Sequence, residues 1–209
     1  MRTNHPIVLA SGSPRRRELL KELFSEFEVV VSDVDEDALT VSDPYVTAES
    51  LAQAKARAVF LLRPNSLVIG GDTVVALPLE DGSYVQFSKP RSTSDAEDML
   101  SKLSGRTHLV ITGICLVRED SETVFSDTSK VTFRSLADQE IRDYVATGVP
   151  MDKAGGYAIQ QGADRFITEL EGSLSNVIGL PLEKLSLVLQ CQNTKDDQDL
   201  FHPDRLSNI

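Results

Sequence analysis

The sequence lacks a surplus of basic residues, and it lacks any long apolar run. Of its 209 residues, 21 are Lys or Arg and 32 are Asp or Glu, so the formal net charge is −11. A general nucleic-acid-binding protein needs a basic face, which this balance disfavours. No segment approaches the roughly 18 apolar residues of a membrane-spanning helix, and the first residues lack the apolar stretch of a secretory signal. We therefore expect a cytoplasmic protein that binds neither nucleic acid nor a membrane.

Several familiar site motifs are also missing. The two cysteines, Cys115 and Cys191, make no disulfide framework, and the apolar run around Cys115 predicts a buried thiol. The three histidines are scattered, so no cluster of His and Cys offers a metal site. A P-loop is excluded because no G-x-x-x-x-G-K-[ST] occurs. A Ser-His-Asp triad cannot be inferred from spacing, since the order of its members differs between folds.

The pattern of hydrophobic residues predicts a mixed α/β fold. Predicted helices alternate with predicted strands, but hairpins are inserted between them, which favours a mixed sheet over a purely parallel one. We expect strands at 7–10, 27–32 and 66–77, a hairpin turn at 80–83, an antiparallel pair around 119–122, and helices at 45–62, 94–105, 138–148 and 181–190. The helix at 45–62 is expected to have Leu51, Ala54, Ala58 and Leu62 on one side. Residues 193–209 are polar and aperiodic, which predicts a mobile tail.

The segment "LASGSPRRRELL" (9–20) places three arginines in the first turn of a predicted helix. Cations usually lie at the other end of a helix, near the negative pole of its dipole. Arginines at 15–17 therefore indicate a bound anion, to which Ser11 and Ser13 add hydroxyl donors and the guanidinium groups add forked, charge-assisted donors. The alternative is a solvated basic turn paired with neighbouring glutamates.

Other charged residues are weaker candidates when each is taken alone. Asp72 follows an apolar run and two glycines, which predicts a carboxylate at a strand end, where α/β proteins gather ligands. Asp72 is a candidate metal ligand or base, and the neighbouring Thr73 a candidate donor. Lys89 precedes a proline in a loop and is a candidate phosphate contact. The alternatives are a turn-capping aspartate and solvated lysines, and Glu36 and Lys55 by themselves are typical of solvated positions.

The segment 150–166 combines polar side chains with adjacent glycines, which is typical of a backbone that approaches a ligand. The amide of Gln160 both donates and accepts hydrogen bonds, as recognition of a base edge requires. The alternative is a hydrogen-bonded loop. Together with the arginine turn and the carboxylates, this segment indicates a phosphorylated ligand accompanied by a metal ion.

Six motifs, taken in order, carry a resemblance to a known family. They are "LASGSPRRRELL", "GGDTVV", "KP", "MLSKLSGRTHLVITG", "DYVATGVPMDKAGGYAIQ" and "SNVIGLPL", and the resemblance that they carry extends from about Ile7 to Leu189. The set resembles the Maf-like nucleotide pyrophosphatases. The resemblance implies an elongated, two-lobed α/β fold with a mixed twisted sheet and a central cleft, formed by a single domain over 1–192. It also implies hydrolysis of a nucleoside triphosphate to the monophosphate and pyrophosphate with Mg²⁺ or Mn²⁺, and it is compatible with a homodimer.

The resemblance assigns roles to residues by motif position. It implies that Ser11, Arg15 and Arg16 hold phosphate, that Lys55 and Lys89 neutralise the triphosphate, that Asp72 accepts a proton, and that Glu36 and Asp72 hold the metal. Members that act on dTTP and UTP are similar to this chain at Arg15, Thr73 and Gln160, whereas those acting on 7-methyl-GTP carry Trp, Gln and Glu there. One departure is Gln161, which stands where the family usually has glycine. The competing hypotheses are a phosphatase acting on smaller substrates and a nucleotide-binding regulator of cell division or septum formation.

Overall fold

The fold is built on a seven-stranded mixed sheet with helices packed against it. The computed structural model describes residues 5–199, and it describes the side chains of residues 5–191. The strands are β1 (Ile7–Ala10), β2 (Glu28–Val29), β3 (Leu67–Pro78), β4 (Tyr84–Phe87), β5 (Thr107–Arg118), β6 (Ser121–Phe133) and β7 (Ile167–Glu171). The helices are α1 (Pro14–Leu20), α2 (Glu36–Leu39), α3 (Pro44–Phe60), α4 (Thr93–Leu103), α5 (Asp138–Ala146), α6 (Leu174–Ile178) and α7 (Leu182–Asp199).

The expected mixed sheet is confirmed, and its central strand has an interrupted edge. The strand order is β2-β1-β3-β5-β6-β7, with β1 parallel to β2 and β3 and the other pairings antiparallel. On one edge of β3, β5 pairs with residues 68–76. On the other edge, β1 pairs with residues 67–70 and β4 with residues 75–78. Within residues 5–199, no strand therefore pairs with this second edge at residues 71–74.

The strand β3 passes through its glycine pair without a break. The expectation that Asp72 lies at a strand end is therefore wrong, because this residue pairs with Gly113 in the middle of β3. The reason is that Gly70 makes room for a helix instead of a turn. A Cβ at Gly70 would lie 2.4 Å from the carbonyl oxygen of Ala52 in α3, and one at Gly113 would lie 2.3 Å from that of Ala48.

The helix α3 lies against the sheet through its small residues. Its buried residues include Ala48, Ala52 and Ala56, which are spaced four apart and so form one stripe along the helix. The expected face is wrong at Leu62, which lies beyond α3 and is exposed. Alanines opposite glycines allow a closer approach of helix and sheet than leucines would, so side-chain size selects the face that is buried.

Three other local expectations differ from the structure at the ends of elements. The strand expected at 27–32 is reduced to the two residues of β2, and the acidic segment 33–39, for which no helix is expected, contains α2 with Asp35 as its N-cap. The last helix continues beyond the expected residue 190 to Asp199. Residues 200–209 of the expected tail lie outside the described part of the chain. No helix among the described residues is long and apolar enough to cross a membrane.

Two large hydrophobic clusters lie on either side of the middle of β3 and β5. One joins β1 and α1 to α6 and α7 and includes Leu9, Leu20 and Leu185. The other joins α4 and α5 to the opposite halves of the central strands and includes Leu100 and Tyr144. The interrupted edge of β3 lies between them, which gives the molecule its two lobes.

We predict that the glycine opposite α3 is required for stability. Gly113→Ala places a Cβ against the backbone of Ala48, which has no rotamer with which to move away, so unfolding free energy should fall by at least about 2 kcal/mol. The control is Gly82→Ala, in the open β3–β4 turn at φ +81°, where only backbone strain of about 1 kcal/mol is expected. Urea unfolding measures both, and equal losses would contradict the close-packing argument.

We also predict that a buried histidine makes stability depend on pH. His108 is fully buried, and its Nε2 lies 2.8 Å from the hydroxyl of Tyr157. Burial lowers its pKa from 6.5 to about 4. Between these values the unfolded chain binds the proton and the folded chain does not, so stability falls as pH falls from 6.5 to 4, by about 3 kcal/mol in total.

The measurement is urea unfolding between pH 7.5 and pH 4.5, above most carboxylate titration. His108→Gln keeps a polar group near Tyr157 but removes the titration, so its stability should vary less with pH than that of the parent. Exposed His5→Gln serves as the control and should follow the parent. An unchanged slope in His108→Gln would contradict the assignment.

Candidate functional site

A single cleft of about 1190 Å³ opens where the edge of β3 is interrupted. Its walls come from the β1–α1 loop, α2, α3, the middle of β3, the loop after β4 and the segment 152–161. All the site residues expected from the sequence line it, namely Ser11, Arg15, Arg16, Glu36, Lys55, Asp72, Thr73, Lys89 and Gln160. Segments far apart in sequence therefore present their charged groups to one space.

The alternating direction of the side chains along β3 explains how groups from both faces of the sheet reach this cleft. Side chains on a strand point alternately to its two faces. Asp72 lies on the face that packs against α3, where its carboxylate meets Lys55. Thr73 lies on the opposite face, where its hydroxyl meets Arg16 of α1. Because no strand among residues 5–199 covers the edge here, both faces open into the same cleft.

On the α3 face, one lysine joins two carboxylates. The Nζ atom of Lys55 lies 2.6 Å from Oδ1 of Asp72 and 2.6 Å from Oε1 of Glu36. The side chains of Lys55 and Asp72 are 13 % and 14 % exposed, whereas that of Glu36 is 49 % exposed. Burial raises the pKa of Glu36, but the hydrogen bond and charge of Lys55, together with the charges of Lys89 and Arg16, outweigh burial and leave this pKa below its usual value. Glu36 is therefore ionised at neutral pH.

On the other face, Arg16 is held by three protein oxygens. Its Nε donates to the carbonyl of Gly179 at 2.7 Å, its Nη2 to the hydroxyl of Thr73 at 2.8 Å, and its Nη1 to the hydroxyl of Ser11 at 3.2 Å. Burial lowers the pKa of Arg16, and the charge of Asp72 opposes this shift. A guanidinium has five N–H donors and stays charged. Three are engaged by these bonds, which leaves one on Nη1 and one on Nη2 for a ligand.

Arg15 and Lys89 are the cations less constrained by the protein. Arg15 is partly buried, and burial lowers its pKa, while the charge of Asp152 opposes this. Lys89 is exposed in the loop that follows β4. Neither forms a salt bridge within the described residues. Arg17, the third arginine of the turn, is exposed and does not line the cleft.

The segment around Gln160 forms part of the wall of the cleft. Gln160 is exposed to the cleft, and Gly162, two residues further on, has a positive φ of +88°. Gln161 has φ −130°, which a non-glycine residue adopts without strain. Gln161 is therefore accommodated in this loop, and both Gln160 and Gln161 line the cleft.

Some residues that line the cleft or support its side chains have no role predicted from the sequence. Lys153 is buried and pairs with Asp152, and the density of polar residues in 150–166 was the only signal for it. The carbonyl of Gly179 and the hydroxyl of Thr112 had no signal, because a backbone oxygen is independent of residue type and a threonine within a strand is ordinary.

The carboxylates of the cleft suit a metal that arrives with its own ligands. The described residues contain no group of three or more His, Cys, Asp or Glu that could hold a metal ion. Glu36 and Asp72 supply two carboxylates, with the ammonium of Lys55 between them. Mg²⁺ is usually bound by one or two carboxylates together with water and substrate phosphates. The donor set therefore fits Mg²⁺ or Mn²⁺ with a polyphosphate, and it does not form an all-protein cage.

Comparisons with known proteins agree with this geometry. The profile of the Maf-like protein family matches residues 6–192. A dTTP/UTP pyrophosphatase of Geobacter sp. (strain M21) is 46 % identical over 181 residues, which cover 86 % of this chain and 91 % of the relative. A dTTP/UTP pyrophosphatase of Symbiobacterium thermophilum is 45 % identical over 178 residues, covering 85 % and 89 %.

Among solved structures, the Ham1 protein of Staphylococcus aureus covers 90 % of this chain and 99 % of its own length at 17 % identity. Its TM-score of 0.47 is too low to support a functional comparison. The family profile extends over most of the sequence and includes every residue that lines the cleft. This chain belongs to the Maf family.

Proposed function

We propose that this protein hydrolyses dTTP and UTP, and modified pyrimidine nucleotides of the same shape, to the monophosphate and pyrophosphate. The observation that carries the proposal is that Arg15, Arg16, Lys55 and Lys89 meet the carboxylates of Glu36 and Asp72 in one cleft of a protein whose net charge is −11. The names of the relatives that are about 45 % identical supply the substrates. Such an enzyme would remove these nucleoside triphosphates from the cytoplasmic nucleotide pool.

The cations are arranged to hold a phosphate chain. Arg15 and Lys89 form no salt bridge within the described residues, and Arg16 has two donors left for phosphate oxygens. Arginine matches phosphate oxygens with its fork, whereas lysine acts as a point charge. The hydroxyl of Ser11 lies beside Arg16. We propose that these four groups bind the triphosphate.

Asp72 is the proposed general base. Its position in the middle of β3 and its 2.6 Å contact with Lys55 hold the carboxylate at the floor of the cleft. There it accepts a proton from the water that attacks the α-phosphorus, and pyrophosphate leaves. Such chemistry depends on positioning and electrostatic stabilisation. Asp72 and Glu36 would hold Mg²⁺ or Mn²⁺, which supplies positive charge at the phosphates and makes a coordinated water more acidic.

The pyrimidine base of the nucleotide is proposed to face Gln160. Thymine and uracil present a carbonyl acceptor and an N3–H donor side by side, and a glutamine amide matches both. Gln160 lines the same cleft as the cations. Arg15, Thr73 and Gln160 together are the combination found in the dTTP/UTP type of the family.

We predict that the carboxylate of Asp72 is required for turnover. Asp72→Asn keeps the size of the side chain but removes its proton affinity, so pyrophosphate release should fall below detection while the protein stays folded. Asp37→Asn is the control, because it removes the same charge from an exposed residue of the cleft, and it should retain turnover. A thermal melt and a pyrophosphate-release assay are the measurements, and near-parental activity of Asp72→Asn would refute the role.

The parent enzyme is assayed with dTTP, UTP and 7-methyl-GTP, with and without Mg²⁺ or Mn²⁺. We expect pyrophosphate from the first two only, and only with metal. Inorganic phosphate as the product would indicate a phosphatase instead. Binding of nucleotide without any product would indicate a regulator.

The second prediction separates the arginines of α1. A charge-assisted contact contributes about 1.5–3 kcal/mol, so Arg15→Ala and Lys89→Ala should each lower kcat/KM for dTTP about tenfold or more. Arg17→Ala removes a neighbouring charge that does not face the cleft, and its kcat/KM should stay within about twofold of the parent, since a solvated surface charge contributes little. Equal effects of Arg15→Ala and Arg17→Ala would show that the phosphate site lies elsewhere.

A further inference from the structure

We infer that Thr73 and Thr112 are positioning residues, which orient the guanidinium of Arg16 through a hydrogen-bond relay anchored on α6. The inference rests on the proposed function, because Arg16 is there a phosphate ligand. It assigns a role to Thr112, a residue that does not line the cleft. It also gives Thr73 a role that differs from direct contact with the substrate.

The direction of each hydrogen bond in the relay follows from counting protons. Thr112 Oγ1 lies 3.0 Å from the backbone carbonyl of Asn176, which can only accept, so the single proton of Thr112 is used there. The hydroxyls of Thr73 and Thr112 lie 3.0 Å apart. Because Thr112 has no second proton, Thr73 must donate to Thr112.

Thr73 is thereby left without a donor for a ligand. Its hydroxyl accepts from Nη2 of Arg16 at 2.8 Å and donates to Thr112. A hydroxyl has one proton and two acceptor sites, so one lone pair is all that remains. The relay therefore makes Thr73 an acceptor aimed at Arg16.

The other end of the relay is rigid. Asn176 is fully buried, and its Nδ2 donates to the carbonyl of Val110 at 2.9 Å and to the hydroxyl of Ser129 at 2.9 Å. Its backbone N–H is capped by Ser173 at 3.2 Å. Thr112 is also fully buried. Because Asn176 and Thr112 are both held in place, the relay fixes the position of the Thr73 hydroxyl. A solvated hydroxyl would not be fixed in this way.

Arg16 is thus held by the same short helix at two points. The carbonyl of Gly179, at the C-terminal end of α6, accepts directly from Nε at 2.7 Å. The carbonyl of Asn176, within α6, acts on Nη2 through Thr112 and Thr73. Two anchors on one rigid element fix both the position and the plane of the guanidinium. The two remaining N–H donors then point in set directions.

The test is a double-mutant cycle on the relay. Thr112→Val has the shape of threonine but gives no acceptor to Thr73, so kcat/KM for dTTP should fall about tenfold. We expect most of the loss in kcat, because a misdirected donor matters most when charge develops on the phosphates. Thr112→Ser keeps the hydroxyl and should restore activity to within about threefold of the parent.

The second arm separates positioning from a general loss of packing. If Thr112 acts only through Thr73, then adding Thr112→Val to Thr73→Val should lower kcat/KM by less than about twofold further. The matched control is Thr107→Val, which breaks a threonine–threonine contact of 2.9 Å between β5 and β6 away from the cleft, and should leave kcat unchanged. Melting curves establish that each variant is folded at the assay temperature.

The outcomes distinguish this inference from the proposed function. Parental kcat in Thr112→Val, or fully additive losses in the double variant, would overturn the relay while leaving the hydrolase intact. Failure of Thr112→Ser to restore activity would also overturn it. A parent protein that releases no pyrophosphate from dTTP or UTP would instead refute the proposed function itself.

Discussion

The interrupted edge of β3 is the constraint on which the rest of the structure depends. A strand has two edges, and here one of them carries β1 at residues 67–70 and β4 at residues 75–78, with four uncovered residues between. A continuous neighbour would separate the two faces of the sheet. Because residues 71–74 are uncovered, Asp72 on one face and Thr73 on the other reach the same cleft. The topology thereby brings together residues from helices on opposite sides of the sheet.

The electrostatics of the cleft follow from this topology. Lys55 is placed between Asp72 and Glu36, and Arg16 lies across the strand from them. Coulomb interactions are stronger in a partly desolvated cleft than at the surface. The acidic surface repels anions in general, whereas the cleft concentrates positive charge. A polyanion is therefore favoured at one place on the molecule, where Glu36 is ionised at neutral pH.

Much of the fold and of the candidate site was predictable from the sequence, for reasons that differ between residues. The pattern of hydrophobic residues predicted the mixed sheet and the antiparallel pair β5–β6. The capping pattern predicted the helix start after β1, where the arginines lie. Taken alone, Glu36 and Lys55 resembled solvated residues, and only the family resemblance placed them in the site. Their 2.6 Å contact depends on tertiary approach, which local patterns do not encode.

What the sequence could not predict was the role of the small residues and of the backbone. Gly70 resembled a break in a strand, because a glycine within an apolar run has the same letter whether it turns the chain or admits a helix. The structure assigns it the second role. A sequence likewise does not indicate that the carbonyl of Gly179 accepts a hydrogen bond, although this bond holds Nε of Arg16. Backbone acceptors become identifiable only when the elements are assembled.

The close contact between α3 and the sheet links packing directly to chemistry. Ala52 and Ala56 contact the backbone at Gly70, and Lys55 lies between them in sequence on the adjoining side of the same helix turn. A lysine side chain has a fixed reach, so the distance of the helix from the sheet decides whether Nζ meets Asp72 at 2.6 Å. If larger residues held α3 farther away by about an ångström, the ion pair would weaken and the carboxylate would lose its positioning cation. The glycines and alanines that make the core compact are therefore also what places the charges of the cleft.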